Sequence, residues 1–311
     1  MVEVADDFDV AIAGGGIGAL TAAVHSARLG RSTLLLGGRA PGGLLLSIER
    51  IDGVPGFPEG VAGYELCPTL QEQAADDGAE IRMAELEGLE PAGKGWRLAT
   101  SDGDVEARAV ILATGARLRT LGVAGEERLR GHGVSHCASC DGPLYDGQVV
   151  GVVGGGDSAL QEALTLANFA DQVLLFHDSE KFSAQHSYQQ RVLDNSKIIP
   201  RHQTVVEEIL GDDVVTGVRV RNSASGEVSH VDLAGLFIYV GLQPNTEFLR
   251  SLLNLSETGH VSTDASMKTA RDGLYAVGDI RQDSASQAIT SAGDGATAAI
   301  ASYRYVKETF R

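Results

Sequence analysis

The sequence predicts an α/β protein with two similar domains, one inserted into the other. Two glycine-rich turns, at residues 14–19 and 154–159, each follow a short apolar run and precede a helical pattern. A strand, a tight glycine turn and a helix in this order begin a dinucleotide-binding unit. The 311 residues also exceed what one small core needs. We therefore predict two Rossmann-like domains of three-layer β/β/α architecture.

The first glycine turn stands in the expected context. A strand is predicted at residues 8–13, a helix from there to Gly30, and a second strand at residues 32–36. Gly14 allows the turn, Gly16 lets the backbone approach a pyrophosphate, and Ala19 keeps the helix close to the strand. The acid expected after the second strand to hold a ribose is missing, because the sequence there is GGR. This disfavours NAD at the first site and leaves FAD.

The remainder of the first domain is predicted from three further stretches. Residues 40–60 are rich in glycine and proline and are predicted to form an ordered loop, either a connector or a site-lining segment. The predicted elements that follow are a helix at 63–77, antiparallel strands at 80–86, 95–99 and 105–107, and a further strand at 110–115. A strand at 273–279 and a small-residue helix at 287–303 complete this domain, which we assign to residues 1–115 plus 245–311.

The second glycine turn lies in the inserted domain, which we assign to residues 116–244. Predicted strands flank it at residues 149–153 and 173–176, with a helix at 160–168 between them. Asp178 lies 22 residues beyond Gly156 (178 − 156), where an acid holds the adenosine ribose of a nicotinamide cofactor. Further strands are predicted at residues 203–210, 214–220, 228–233 and 236–240.

Between the two turns lies a pair of cysteines with a carboxylate beside it. Cys137 and Cys140 are separated by two residues and can close a small disulfide ring, and Asp141 follows at once. Reduction of a disulfide requires electrons at one sulfur and a proton for the departing thiolate. The hexapeptide carries both sulfurs and a candidate proton donor.

Zinc binding is the alternative role for this cysteine pair. His132 and His136 lie just upstream and could complete a zinc site of two cysteines and two histidines. They could instead shift the pKa of a cysteine thiol, or be ordinary surface histidines of a loop. We favour redox chemistry and predict no metal, because there is no second half-site of the kind that zinc fingers or ribbons have. Cys67 has no partner nearby and is expected to be a buried apolar residue.

Composition excludes several classes of partner. The formal net charge of −17 opposes binding to nucleic acid or anionic lipid. Hydrophobic residues make up 43% of the chain, yet no apolar run is long enough to span a membrane. The acidic N-terminus lacks the order of a signal peptide, so we expect a cytoplasmic protein.

The chain resembles the low-molecular-weight thioredoxin reductase family over essentially its full length. The stretches that carry the resemblance are residues 14–19, 54–60, 113–116, 133–135 with 137–142, 154–159, 240–246, and 278–279 with 287–293. The resemblance implies an FAD-containing homodimer that passes electrons from a nicotinamide donor through FAD to Cys137 and Cys140, and then to thioredoxin or a similar small dithiol protein.

The resemblance also implies roles for individual residues. Cys137 and Cys140 would be the redox thiols, with Cys140 beside the flavin, and Asp141 the acid that protonates the departing thiolate. The residues implied to bind FAD are Gly14, Gly16, Ala19, Thr114, Gly115, Gly278, Asp279, Gln287 and Ala288. Those predicted for the nicotinamide nucleotide are Gly154, Gly156, Ala159 and Asp178.

One departure from the family changes the expected electron donor. Where the family has a His-Arg-Arg signature with a further arginine four residues on, residues 177–183 read HDSEKFS. Three cations that would clamp a ribose phosphate are lost, and Asp178 would repel a dianion. The sequence therefore favours NADH over NADPH. A protein donor such as ferredoxin, with no pyridine nucleotide at all, is the second possibility.

Two other functions are alternatives to a disulfide reductase. An oxygen-dependent dithiol oxidase would run the chemistry in the opposite direction, but related oxidases tend to carry histidine after the second cysteine, where this chain has Asp141. A flavoprotein without catalysis is the other class, and the intact CASCD sequence argues against it.

Overall fold

The computed structural model describes residues 6–311, so the first five residues of the acidic N-terminus lie outside the described residues. Its helices are α1 (Ile17–Arg28), α2 (Gly63–Asp76), α3 (Ala138–Asp141), α4 (Asp157–Leu166), α5 (His186–Leu193) and α6 (Ala288–Thr309). Its strands are β1 (Asp6–Ala13), β2 (Thr33–Leu36), β3 (Glu80–Arg82), β4 (Leu86–Ala92), β5 (Gly95–Thr100), β6 (Val105–Leu112), β7 (Ala116–Leu118), β8 (Val134–Ser135), β9 (Val149–Val153), β10 (Gln172–Phe176), β11 (Ile198–Arg201), β12 (Thr204–Leu210), β13 (Gly217–Asn222), β14 (Val228–Asp232), β15 (Gly235–Ile238), β16 (Leu242–Pro244) and β17 (Leu274–Ala276).

The chain divides into two compact units. The discontinuous unit consists of Met1–Arg117 and Gln243–Arg311, and the inserted unit of Leu118–Leu242. The sequence analysis set these limits at residues 115/116 and 244/245. Strands β7 and β16, which carry the chain between the units, pair with each other. Which nucleotide each unit binds stays a prediction.

In the discontinuous unit, one sheet combines parallel and antiparallel strands. Within the described residues its strands run in the order β3-β2-β1-β6-β5-β4, and β17 also pairs with β6. The first half of β6 pairs with antiparallel β5, whereas its second half pairs with parallel β17. Successive side chains of a strand point to opposite faces. Val10 and Ile12 accordingly pack in the core that includes α1, whereas Ala11 and Ala13 pack in the core that includes β5.

The inserted unit repeats this layering. Its parallel sheet has the order β11-β10-β9-β15-β8, and β12, β13 and β14 form a separate antiparallel sheet. Val173 and Leu175 of β10 pack in the core with α4. Leu174 and Phe176 pack in the other core, with β12 and β13. The parallel strands are therefore buried on both faces, which explains why β9 and β10 are almost wholly apolar.

The α/β class with two β/β/α units is confirmed, and several local elements differ from the prediction. The antiparallel strand predicted at 80–86 is two strands, β3, which is parallel to β2, and β4, which is antiparallel to β5. Helix α3 and the short strands β7, β8 and β16 were not predicted. The strands predicted at 105–107 and 110–115 are one continuous strand, β6. A 3₁₀ helix, Gly43–Ser47, lies within the predicted loop. The sequence analysis did not predict α5 or β11. Helix α5 is only eight residues long and buries just Tyr188 and Val192, so its periodic signal is short.

Among residues 6–311, no helix combines the length and apolar character needed to cross a lipid bilayer.

Helices α1 and α6 approach closely through two glycines. A Cβ built on Gly295 of α6 would overlap the carbonyl oxygen of Gly18 in α1. Both atoms belong to backbone, so only a shift of one helix could relieve the overlap. A Cβ on Gly293, two residues earlier, would meet no heavy atom within 4 Å in the part of the chain that the structure describes.

We expect Gly295→Ala to destabilise the protein by about 2 kcal/mol or more, because it forces α1 and α6 apart. For a chain of 311 residues that corresponds to a fall in Tm of roughly 3 °C or more in a thermal unfolding scan. Gly293→Ala is the matched control, and it should stabilise the exposed helix position by up to about 1 kcal/mol. Equal Tm changes for the two variants would contradict this account of the α1–α6 contact.

Candidate active site

A cavity of about 350 Å³ opens at the carboxyl ends of the parallel strands in the discontinuous unit. It is bounded by the segments that follow β1, β6 and β17. This is the edge of an open α/β sheet at which ligands bind. Its lining comprises residues 15–18, 42–45, 113–116, 277–279 and 286–288, with Asn245 and Ser291.

Most of the residues predicted to bind FAD line this cavity. Those in the lining are Gly16, Thr114, Gly115, Gly278, Asp279, Gln287 and Ala288. Gly14 and Ala19 are outside the lining and shape the turn instead. Ala19 is fully buried against the sheet, as a small residue at this position must be.

The first glycine turn presents backbone rather than side chain to the cavity. Gly14 has φ +129°, and a Cβ there would overlap the carbonyl oxygen of Ala113 at the end of β6. A Cβ on Gly16 would meet no described heavy atom within 4 Å, so open space lies above it. Gly16 is also the N-cap of α1, and within the described chain no side chain caps that end. The first N–H groups of α1 are thus available to an anion.

Asp279 adds a carboxylate with an unused oxygen. Its Oδ1 is buried and has no hydrogen-bond partner among the described residues. Burial raises the pKa of Asp279, and the nearby carboxylate of Asp294 raises it further. Asp294 itself is engaged, because it accepts from the Gly278 N–H at 3.1 Å and pairs with Arg281 at 3.0 Å. An unpaired buried acceptor calls for a donor, such as a sugar hydroxyl.

These observations fit FAD. Phosphates suit the uncapped N-terminus of α1 and the open space at Gly16, and a ribityl or ribose hydroxyl suits Asp279. The sequence analysis did not single out Asn245 or Ser291 as cavity residues. Asn245 follows β16, and its side-chain amide donates to the carbonyl of Thr114 at 3.0 Å, while Thr114 Oγ1 donates to the carbonyl of Asn245 at 2.8 Å. Only long-range pairing reveals such a contact.

The second glycine turn, in the inserted unit, has the same design. Gly154 has φ +142°, and a Cβ there would overlap the carbonyl oxygen of Tyr239 after β15. A Cβ on Gly155 would overlap the imidazole of His177. At Gly156 the nearest such atom is Ser183 Oγ, 3.8 Å away. Ala159 is fully buried, as is its counterpart Ala19. The turn is therefore built to hold α4 close to the sheet.

Asp178 and His177, at the end of β10, have different environments. His177 is buried, and its Nε2 N–H donates to the carbonyl of Lys181 at 2.7 Å. The side chain of Asp178 is 73% exposed and accepts a hydrogen bond from Ser179 Oγ at 2.9 Å. A carboxylate therefore faces solvent beside this turn.

The predicted redox cysteines form a disulfide at the start of α3. Cys137 is the N-cap residue, and its Sγ accepts from the N–H of Cys140 at 3.2 Å. The Ser139 hydroxyl lies 3.5 Å from the same sulfur. On the other side, the Cys137 N–H donates to Ser135 Oγ at 3.1 Å. Polar donors thus converge on the Cys137 sulfur.

Asp141 is the last residue of α3, directly after Cys140. Its negative charge contributes to the raised pKa of two tyrosines, Tyr145 and Tyr239, after the larger effect of burial in both. Its carboxylate is therefore close enough to influence the polar groups around the disulfide.

The zinc alternative gains no support from the geometry. The two sulfurs are bonded to each other, and among residues 6–311 no three His, Cys, Asp or Glu side chains gather as metal ligands. His132 is exposed, and His136 is half-buried, with a pKa lowered by burial and then by Arg130.

Two residues that the sequence analysis did not single out lie against α3. Glu162 of α4 accepts from the Ala138 N–H at 3.2 Å, and Tyr239 donates to the same carboxylate oxygen at 3.3 Å. Neither belongs to a motif, so no sequence signal could have found them.

Comparison with known proteins identifies the class of enzyme to which the chain belongs. Residues 8–295 match the model of the pyridine nucleotide-disulphide oxidoreductase family, enzymes that couple a nicotinamide donor and FAD to disulfide chemistry. The chain belongs, within that class, to the bacterial-type thioredoxin reductase family. It is therefore a flavin-dependent disulfide oxidoreductase.

Three proteins illustrate the likeness. The thioredoxin reductase of Mycolicibacterium smegmatis is 40% identical over 301 residues, which cover 96% of this chain and 97% of that protein. A crystal structure of Lactococcus lactis thioredoxin reductase has a TM-score of 0.94 and 39% identity, with 97% of this chain and 99% of that one covered. The bifunctional thioredoxin reductase/thioredoxin of Mycobacterium leprae is 37% identical over 304 residues, 96% of this chain and 66% of that protein.

We expect Asp279→Ala to weaken FAD binding by about tenfold to a hundredfold, the usual range for losing a hydrogen bond to a charged group. The measurement is titration of the flavin-free protein with FAD, followed by flavin fluorescence. Asp272→Ala serves as the control, because Asp272 is exposed at the opposite end of β17. Unchanged affinity in the Asp279 variant would remove this carboxylate from the flavin site.

Proposed function

We propose that this chain reduces the disulfide of thioredoxin, or of a similar small dithiol protein, through Cys137 and Cys140. The observation that carries the proposal is the set of donors around the Cys137 sulfur, the N–H of Cys140 and the hydroxyl of Ser139. Such donors favour a thiolate once the pair is reduced. The printed names of the relatives, one of them fused to thioredoxin, support the choice of partner.

The exchange with the partner follows from these positions. The Cys137 thiolate attacks one sulfur of the partner disulfide and forms a mixed disulfide, and the other partner sulfur leaves as a thiolate that takes up a proton. Cys140 then attacks Cys137, which releases the second partner thiol and closes the Cys137–Cys140 ring. Asp141, next to Cys140, is the proposed acid and base for the departing thiolate when the ring is opened again.

FAD, when bound, supplies a two-electron carrier between a nicotinamide and a disulfide. The residues proposed to hold it are Gly14, Gly16, Ala19, Thr114, Gly115, Gly278, Asp279, Gln287 and Ala288. The open N-terminus of α1 and the unpartnered Oδ1 of Asp279 support this set.

We propose NADH as the electron donor, held at Gly154, Gly156, Ala159 and Asp178. The exposed carboxylate of Asp178 suits the hydroxyls of an adenosine ribose. In NADPH that ribose carries a phosphate, which Asp178 would repel. Residues 177–183 contain one lysine, Lys181, and no arginine.

A protein donor such as ferredoxin is the second candidate for the same reaction. The absence of arginine from residues 177–183 is the observation that favours it, because a nucleotide phosphate would find no guanidinium there. In that case the second glycine turn would serve only the fold of the inserted unit.

The proposal includes a homodimer, as the resemblance implies. Ile289 and Ile300 of α6 are 45% and 40% exposed and provide apolar surface that an interface would cover.

We expect Cys137→Ser and Cys140→Ser each to reduce thioredoxin-disulfide turnover by at least about a thousandfold, because each removes a sulfur that the exchange requires. Turnover is measured as thiol formation in the partner protein. Cys67→Ala is the control and should retain turnover, since Cys67 is buried, with its thiol 3.6 Å from the Gly42 carbonyl. Full turnover in the Cys140 variant would defeat the proposed function.

We expect anaerobic NADH to bleach the visible flavin absorbance of the holoprotein, and NADPH to bind about tenfold or more weakly because of the Asp178 charge. The double variant Asp178→Arg/Ser183→Arg should bring NADPH affinity to or beyond that for NADH. Asp171→Arg repeats the aspartate-to-arginine change of the double variant just before the opposite end of β10 and should not alter the preference. If neither nucleotide bleaches a flavin that dithionite reduces normally, the NADH proposal fails and a protein donor takes its place.

A further inference from the structure

We propose that Glu162 is a positioning residue that holds the first peptide of the redox helix α3 and lowers the reduction potential of the Cys137–Cys140 pair. The inference rests on the proposed function, in which these two cysteines are the redox pair, and concerns residues that lie within the inserted unit.

The contacts place one carboxylate oxygen between two donors. Oε2 of Glu162 accepts from the backbone N–H of Ala138 at 3.2 Å and from the phenol of Tyr239 at 3.3 Å. Ala138 is the first residue of α3 and lies between the two cysteines. Its nitrogen is bonded to the carbonyl carbon of Cys137, so Glu162 holds the peptide that directly follows the first sulfur.

Burial makes this arrangement firm. Ala138 is fully buried and Tyr239 is 7% exposed, and both pack in the core between α4 and the parallel sheet. Burial raises the pKa of Tyr239 strongly, and the charge of Glu162 raises it further, so the phenol remains a protonated donor. Glu162 itself is on α4, whose start is the second glycine turn. Both residues that donate to the carboxylate are thus held in place by the packing of this core.

The charge of Glu162 acts on the redox equilibrium. Reduction of the disulfide takes up two electrons, breaks the S–S bond and, when one proton is bound, leaves one thiol and one thiolate. The oxidised pair is neutral, so a nearby anion opposes only the reduced form that carries the thiolate. Cys137 and Glu162 are both half-buried, which makes the repulsion between a Cys137 thiolate and the carboxylate stronger than it is in water. The pair is therefore a better electron donor than it would be without the carboxylate.

A purely structural role for Glu162 would predict something different. Holding α3 in place would change stability but would leave the equilibrium between disulfide and dithiol where it is. The reduction potential of the cysteine pair therefore distinguishes an electrostatic effect of Glu162 from a purely structural one.

The experiment compares the holoprotein with its Glu162→Gln variant. Glutamine keeps an oxygen that can accept from the Ala138 N–H but removes the charge. Each protein is equilibrated anaerobically in dithiothreitol buffers of graded ratio and quenched with acid. The Cys137–Cys140 peptide is then alkylated and its reduced fraction measured by mass spectrometry, so Cys67, on another peptide, does not interfere.

We expect the equilibrium constant for reduction to rise about tenfold in Glu162→Gln, which is roughly 30 mV for this two-electron couple. Glu227→Gln makes the same change in net charge beside β14, in the antiparallel sheet rather than the helical layer, and should leave the constant unchanged. Tyr239→Phe retains the carboxylate and should shift the constant by less than half as much.

Equal constants for Glu162→Gln and the unmodified protein would overturn the inference, as would an equal shift in Tyr239→Phe or in Glu227→Gln. The inference and the proposed function fail separately. Loss of the potential shift leaves the cysteine-dependent turnover intact, whereas full turnover in Cys140→Ser would remove the proposed function even if the potential responds to Glu162.

Discussion

Both units depend on one constraint, the absence of a side chain where each glycine turn touches the neighbouring strand. Gly14 lies against the Ala113 carbonyl, and Gly154 against the Tyr239 carbonyl, at distances that admit no Cβ. Each contact brings a helix N-terminus to the carboxyl edge of a parallel sheet. Helix dipoles and free N–H groups are thereby aimed at the place where an anionic nucleotide binds. The close approach of α1 and α6 through Gly18 and Gly295 extends the same principle to the helical layer.

Carboxylates on this scaffold differ in function according to their surroundings. The Oδ1 of Asp279 is buried and has no hydrogen-bond partner among the described residues, and burial raises the pKa of this side chain. These properties suit a hydrogen bond from a ligand hydroxyl. Glu162 already has two donors and is directed at the redox helix, which suits control of a sulfur pair. Asp178 is largely exposed and acts on whatever approaches from solvent. Burial and hydrogen bonding decide which task each acid can perform.

Much of the fold could be predicted, and so could most of the lining of the candidate flavin site, because the signals are local. Glycine turns flanked by apolar runs predict the two β/β/α units. Seven of the nine residues that the resemblance implies for FAD binding line one cavity. The sequence pattern failed to predict elements that are short or whose pairing partners lie far away in the sequence. Strand β6 was predicted as two strands because its single run serves antiparallel and parallel partners in succession. Helix α5 was missed because so few of its residues are buried.

By itself, the sequence determined the class of fold, the cysteine pair with its adjacent acid, and the acidic residues Asp178 and Glu180 after β10, because each feature depends on residues that are neighbours in the chain. Only the tertiary structure decided that Asp279 has an oxygen without a partner among residues 6–311, that His177 packs against Gly155, and that Glu162 and Tyr239 meet at Ala138. Residues 138 and 162 belong to two different helices and residue 239 follows β15, and no spacing along the chain reports their proximity. Folding brings them together because alternate positions of the parallel strands and one face of α4 must share a single buried layer.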